Sequence, residues 1–113
     1  MTRPPAFLPA REAVQKTWRM RAKVWRYAGT SSWYFVTLPK THARQIRACH
    51  AFRRRGWGSL PVIVTLGGTT WKTSIFPESE TGSYVLPIKA EVRRREGIAA
   101  GDTIGFTLEI GRS

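Results

Sequence analysis

The sequence has few of the residues on which several classes of protein depend. It has a single cysteine, Cys49, in 113 residues, which excludes a scaffold stapled by internal disulfides. Acidic residues are scarce, with 7 Asp and Glu against 19 Lys and Arg. No apolar run approaches the roughly 20 residues of a membrane-spanning helix, and prolines interrupt the first ten residues where a secretory signal would be apolar. We therefore expect a cytoplasmic protein that does not associate with a membrane.

The residues that are present predict one folded, basic domain. Hydrophobic residues make up 42% of the chain, and 5 Trp, 3 Tyr and 5 Phe can build a core despite a formal net charge of +12. We expect a flexible N-terminal tail over residues 1–15, a domain over residues 16–110 and a short C-terminal tail over residues 111–113.

Apolar and polar residues alternate along most of this domain, as in half-buried β-strands. Gly67-Gly68 predicts a hairpin turn, and Gly101-Asp102 predicts a tight turn before the last strand. The fold class is therefore mainly β: about six mostly antiparallel strands that close, fully or partly, into a small barrel with one or two short helices. One face of these strands should form a single core: Trp18, Met20, Val24, Val36, Leu38, Val62, Val64, Leu66, Ile75, Leu86, Ile104, Phe106 and Leu108.

Two segments have helical spacing. Thr41 can cap a helix that runs to about Phe52 or Arg55, and a second helix is predicted over residues 89–96, ended by Gly97. A Leu-Pro step precedes each helix, and a strand follows each, so the chain resembles one unit used twice. Residues 60–66 are almost continuously apolar, which predicts a strand covered on both faces.

The segments that carry a family resemblance are residues 33–39, Gly67-Gly68, the Thr73-Ser74 and Pro77 of WKTSIFP, residues 82–89 and Gly101-Asp102. Together they resemble the bacterial family known as domain of unknown function 1905, over about residues 16–110. The Leu-Pro and Gly-Asp steps alone also resemble the swapped-hairpin barrels of AbrB-type transcription regulators. The resemblance implies a small, closed, mostly antiparallel barrel and no established activity.

The residues that enzymes and metal sites require are poorly placed. Cys49 and His50 are adjacent on a predicted helix and point about 100° apart, and His42 lies roughly two turns away from His50. Glu91 and Glu96 are expected to pair with neighbouring arginines rather than to work as a catalytic pair. We expect no catalytic residues, no metal and no cofactor.

The basic residues are the strongest functional signal. On the first strand, cations alternate with aromatic rings on the outward face, which is the chemistry that single-stranded nucleic acid binding uses. The first helix adds further cations. This candidate nucleic-acid face comprises Arg19, Arg21, Lys23, Trp25, Tyr27, Lys40, Arg44, Arg47, Arg54 and Arg55. Its partner would be nucleic acid or another polyanion.

A different class of function stays open beside this one. Tryptophans could line a barrel mouth that binds a small ligand or a protein, with the set Trp33, Trp57, Trp71, Lys72 and Thr73. The Leu-Pro and Gly-Asp turns also leave open a protein partner or a homodimer.

Overall fold

The computed structural model describes residues 16–29, 32–49 and 58–110. The predicted tails, the end of the first helix beyond Cys49, and Trp57 lie outside these residues. The described chain forms six strands and two helices, in the order β1 (Lys16–Arg26), β2 (Tyr34–Thr37), α1 (Lys40–Cys49), β3 (Leu60–Leu66), β4 (Thr69–Glu78), β5 (Ser83–Pro87), α2 (Ala90–Glu96) and β6 (Thr103–Ile110).

The six strands close into an antiparallel barrel in the order β1-β2-β5-β4-β3-β6. Strand β1 closes the ring because it is long enough to pair twice. Its residues from Lys16 to Lys23 pair with β6, and those from Val24 to Arg26 pair with β2. The predicted small barrel is thus confirmed, and closure pairs the backbone groups that an open sheet would leave at its edges.

The barrel order reflects the repeated unit that the sequence predicts. The chain can be divided into two halves: β1, β2, α1 and β3, then β4, β5, α2 and β6. If each strand is swapped with its counterpart in the other half, every strand keeps the same neighbours in the barrel. At the β2–β5 junction the hydrogen bonds come in a matching pair, Leu38 N to Tyr84 O and Ile88 N to Tyr34 O, both 2.9 Å. Leu38 therefore corresponds to Ile88 in the structure. Aligning the two Leu-Pro steps of the sequence would instead match Leu38 with Leu86, two residues earlier.

Alternation along the strands places one apolar set inside the barrel. Of the predicted core residues, all but Trp18 are buried, and Trp18 is half-buried against them. The prediction of a single core is confirmed. Strand β3 is a correction: Pro61 and Thr65 are exposed, so it is covered on one face rather than on two.

Both helices sit close to their predicted positions. Helix α1 buries Ala43 and Ile46. It begins at Lys40, and the Ala43 N–H donates to the Pro39 carbonyl at 2.9 Å. The Pro39 carbonyl thus accepts the first backbone hydrogen bond of the helix, so Pro39 stands at its N-terminal cap position. Thr41 lies inside the first turn and does not cap the helix. Helix α2 ends at Glu96 and is followed by Gly97, whose φ of 65° is left-handed, as expected of a glycine that terminates a helix.

The turn before β6 depends on Gly101, which has a φ of 95°. Its N–H donates to the Val24 carbonyl at 2.8 Å, and the Asp102 carboxylate accepts from the Ala99 N–H at 2.8 Å. A Cβ at Gly101 would meet no atom within 4 Å, so a substitution there is opposed only by backbone strain. These contacts form the turn directly before β6.

We expect Gly101→Val to lower the free energy of unfolding by roughly 1–3 kcal/mol, because a β-branched residue at this φ is strained. Urea denaturation measures the loss. Ala100→Val is the matched control: Ala100 is the exposed neighbour, and no described residue other than glycine has a positive φ. The control should change stability by at most about 0.5 kcal/mol. Equal losses in both variants would contradict the strain argument.

Candidate nucleic-acid interface

The outward face of β1 presents three cations in a row. Because Trp18, Met20, Ala22 and Val24 face the core, Arg19, Arg21 and Lys23 face solvent, and all three are exposed. Within the described residues none of the three makes an ion pair; the ion pair found there joins Arg95 to Glu91. These three side chains are therefore available to an anionic partner from solution.

A row of hydroxyls lies beside Arg19 across the barrel wall. Arg19 pairs with Thr107 of β6, Thr107 pairs with Thr65 of β3, and Thr65 pairs with Thr70 of β4. The Thr65 and Thr70 hydroxyls are 3.1 Å apart and share a hydrogen bond. Since paired residues on antiparallel strands share a face, four successive strands offer one guanidinium and three hydroxyl groups to the same surface.

A cleft opens at this surface, with a volume of about 520 Å³. It forms because β6 pairs with β3 only from Thr107 to Glu109, whereas it follows β1 as far as Thr103. Beyond Thr107, towards Thr103, the β3–β4 hairpin no longer pairs with β6, and the cleft lies between this hairpin and β6. Its lining comprises Arg19, Met20, Arg21, Thr65, Gly67, Gly105, Phe106 and Thr107. None of these lining residues is acidic.

Two glycines line the cleft. Gly105 pairs with Arg21, and a Cβ there would make only ordinary contacts, 3.7 Å from Arg21 Cγ and 4.0 Å from the Met20 carbonyl oxygen. Gly67, with a φ of 60°, forms the β3–β4 turn, where the Glu96 carboxylate lies against it. A ligand can thus reach the backbone between Arg21 and the hydroxyl row.

Two carboxylates border the cleft without lining it. Glu96 accepts a hydrogen bond of 2.6 Å from the Thr69 hydroxyl, which fastens the end of α2 to the β3–β4 hairpin. Glu109 lies on the outward face of β6, one outward position beyond Thr107, and is half-buried. Among the described lining residues, the charged groups are the two guanidinium groups of Arg19 and Arg21.

Aromatic side chains continue the outward face at the other end of β1. Trp25 is half-buried: its indole N–H donates to the Thr37 hydroxyl at 2.9 Å, and its ring lies 5.0 Å from that of Phe35. Phe35 in turn stacks on Trp33 at 6.0 Å and 14°. Trp33 and Tyr27 are each 52% exposed, so they present the accessible rings at this end.

The described cations of α1, Lys40, Arg44 and Arg47, do not line the cleft. Lys40 and Arg44 are exposed. Arg47 is engaged elsewhere: its guanidinium donates to the Gly82 carbonyl at 2.8 Å and lies 5.6 Å from the centre of the Tyr84 ring. Arg54 and Arg55 lie outside the described residues. Of the predicted face, the structure brings Arg19 and Arg21 together at one concave site.

The structure does not assemble the described members of the predicted tryptophan-lined mouth. Trp71 packs into the core at 8% exposure, whereas Trp33 is on the outer surface. Lys72 is exposed and pairs with Ile63 on β3, and Thr73 is half-buried. The two indole rings therefore face opposite sides of the barrel wall.

Several of the described acidic residues take part in local contacts. Glu91 pairs with Arg95 at 3.9 Å, as expected of neighbours one turn apart, while Glu96 bonds to Thr69 rather than to an arginine. Glu78 accepts from the Thr81 hydroxyl at 2.9 Å. No group of three His, Cys, Asp or Glu residues with the geometry of a metal site occurs in residues 16–29, 32–49 and 58–110.

A comparison with known families places most of the described barrel in one of them. The family model described as Domain of unknown function (DUF1905) matches residues 21–108, a stretch from the middle of β1 almost to the end of β6. None of the curated proteins that were compared matches the chain. Neither helix in the described part of the chain has the length and apolar character needed to cross a bilayer.

Proposed function

We propose that this chain, which belongs to the DUF1905 family, is a non-enzymatic module that binds nucleic acid largely independently of sequence. The observation that supports the proposal is the pair Arg19 and Arg21, exposed at a concave site whose described lining includes no acidic residue. Lys23 extends the same row by one outward position.

The chemistry of this site suits phosphate groups. A guanidinium donates two parallel hydrogen bonds to phosphate oxygens, and hydroxyls such as those of Thr65 and Thr107 can donate further ones. Gly105 lets an anion approach the backbone between these donors. Contacts of this kind position a nucleic acid but do not read its bases, so affinity should depend on salt more than on sequence.

The charge of the whole chain supports the same partner. A formal net charge of +12 attracts polyanions over distances of about a Debye length and accelerates encounter at low salt. The local arrangement at β1 then decides where the polyanion lies, since its three cations have no acidic partner among the described residues.

Salt dependence of binding tests the proposal. We expect the wild-type protein to bind single-stranded oligonucleotides with a log–log salt slope of about −0.7 for each phosphate contacted. Arg21→Ala should flatten this slope by about one contact, because one phosphate loses its counter-charge. Fluorescence anisotropy at a series of salt concentrations measures both quantities.

Arg95→Ala is the matched control for this experiment. It also removes one positive charge, but from an exposed side chain on α2 that pairs with Glu91 and does not line the cleft. Its slope should remain that of the wild type. The proposal fails if neither DNA nor RNA binds at tens of micromolar protein at low salt, or if Arg21→Ala and Arg95→Ala change the slope equally.

A small anionic ligand is the second candidate, and the cleft volume favours it. About 520 Å³ is within the range of small-molecule pockets. Oligonucleotide length separates the two candidates. Affinity that rises as the strand is lengthened from one nucleotide to about ten indicates a polymer bound along β1, whereas affinity already maximal for a mononucleotide indicates a small-anion site.

A further inference from the structure

We propose that Trp33 is a base-stacking platform that makes this surface prefer single-stranded over double-stranded nucleic acid; the inference rests on the proposed function. Trp33 lies just before β2 and leaves 52% of its surface exposed. An aromatic ring exposed to solvent, on the same outer face as the cations of β1, combines the two elements that proteins use to bind single strands.

A chain of side-chain contacts holds the Trp33 ring in place. It stacks on Phe35 at 6.0 Å, Phe35 contacts Trp25 at 5.0 Å, and the Trp25 indole is anchored to the Thr37 hydroxyl at 2.9 Å. The Tyr27 N–H donates to the Trp33 carbonyl at 2.8 Å, which ties the backbone of the platform to the end of β1. A base that stacks here meets a ring already held in place, so little conformational entropy is lost on binding.

The platform and the cations belong to one continuous outer face. From Arg21 to Trp25 the strand rises by about 13 Å at roughly 3.3 Å per residue, and Trp25 underlies the Phe35–Trp33 stack. A strand of a few nucleotides covers this distance. Its phosphates would meet Arg19, Arg21 and Lys23 while an unpaired base reaches Trp33.

The preference for single strands follows from the accessibility of the bases. In a duplex each base is stacked between its neighbours and paired, so its flat face is not accessible to a ring on the outside of a barrel. A single strand exposes that face at low cost. Phosphate contacts alone would bind both forms.

Three probes of equal length, about 20 nucleotides, separate stacking from charge: an oligothymidine, an abasic strand that has the backbone without bases, and a duplex. We expect the wild type to bind oligothymidine most tightly. Trp33→Ala should weaken that complex roughly 5- to 150-fold, leave the salt slope unchanged, and leave the affinities for the abasic strand and the duplex unchanged.

Further variants distinguish loss of the ring from loss of the fold. Trp33→Leu keeps an apolar cover over Phe35 but has no ring, so it should lose affinity as Trp33→Ala does, whereas Trp33→Phe should keep most of it. Phe76→Ala is the matched control, since Phe76 is another exposed aromatic at 44%, on β4 and outside the Trp25–Phe35–Trp33 stack. It should bind as the wild type does.

The outcomes separate the two proposals. If the wild type binds all three probes equally and Trp33→Ala and Trp33→Leu change nothing, the stacking proposal is overturned while phosphate binding stands. If the wild type binds none of the probes at low salt, both proposals are overturned.

Discussion

Replacing Leu108 with alanine should lower the free energy of unfolding by about 2–5 kcal/mol. Leu108 is fully buried on β6, where it pairs with Trp18 of β1 on one side and Val64 of β3 on the other. Truncation removes apolar contact with both neighbours, and the closed strand order restrains the backbone from collapsing into the cavity.

Urea denaturation followed by tryptophan fluorescence measures the effect. Thr103→Ala is the matched control because Thr103 is exposed on the same strand, and it should cost at most about 1 kcal/mol. A loss below about 1 kcal/mol for Leu108→Ala would contradict the position of this residue at the centre of the barrel.

The sequence predicts the strands and their faces well because alternation is a local signal. Met20 and Val24 are buried and Arg19 and Arg21 are exposed, as a period of two requires. The turns at Gly67-Gly68 and Gly101-Asp102 are likewise local, since each depends on the conformational preference of adjacent residues. Strand β3 misled the prediction because the apolar Pro61 and Ile63 lie on its outer face without being fully covered.

The neighbours of each strand are not local, and that is why the cleft escaped prediction. Alternation places Gly105 and Thr107 on the outward face of β6, but nothing in the pattern says that β6 lies between β1 and β3. The row from Arg19 through Thr107 to Thr65 exists only once the barrel has closed. The repeated unit in the sequence is the one signal from which this strand order could have been derived.

The arrangement of the aromatic residues near the end of β1 also could not be predicted from the sequence, because it depends on strand pairing. The sequence places Trp25 outward on β1, which is correct, but β2 brings Phe35 against its ring. The sequence groups Trp33 with Trp71 in a barrel mouth, because the position of Trp33 just before a strand does not reveal the side to which it points. Pairing between β1 and β2 makes Trp33 the exposed ring of the stack.

Gly105→Val should raise stability and abolish much of the binding, a combination that tests the cleft most directly. A strand glycine is less stable than alanine by roughly 0.5–1 kcal/mol, and valine is favoured in strands. Because a Cβ at Gly105 would make only ordinary contacts, 3.7 Å from Arg21 Cγ, the barrel should accept the substitution and gain about 0.5–1 kcal/mol.

The same side chain stands where a phosphate would approach the backbone beside Arg21. Loss of one hydrogen bond to a charged group is worth about 1.5–3 kcal/mol, so oligonucleotide affinity should fall roughly 10- to 150-fold. Thr103→Val serves as the control, since it alters the outward face of β6 outside the cleft lining and should leave affinity within about twofold. Thermal unfolding and fluorescence anisotropy measure stability and affinity on the same samples. A parallel fall in both would indicate a structural role for Gly105. Unchanged affinity in the more stable variant would show that nucleic acid does not enter this cleft.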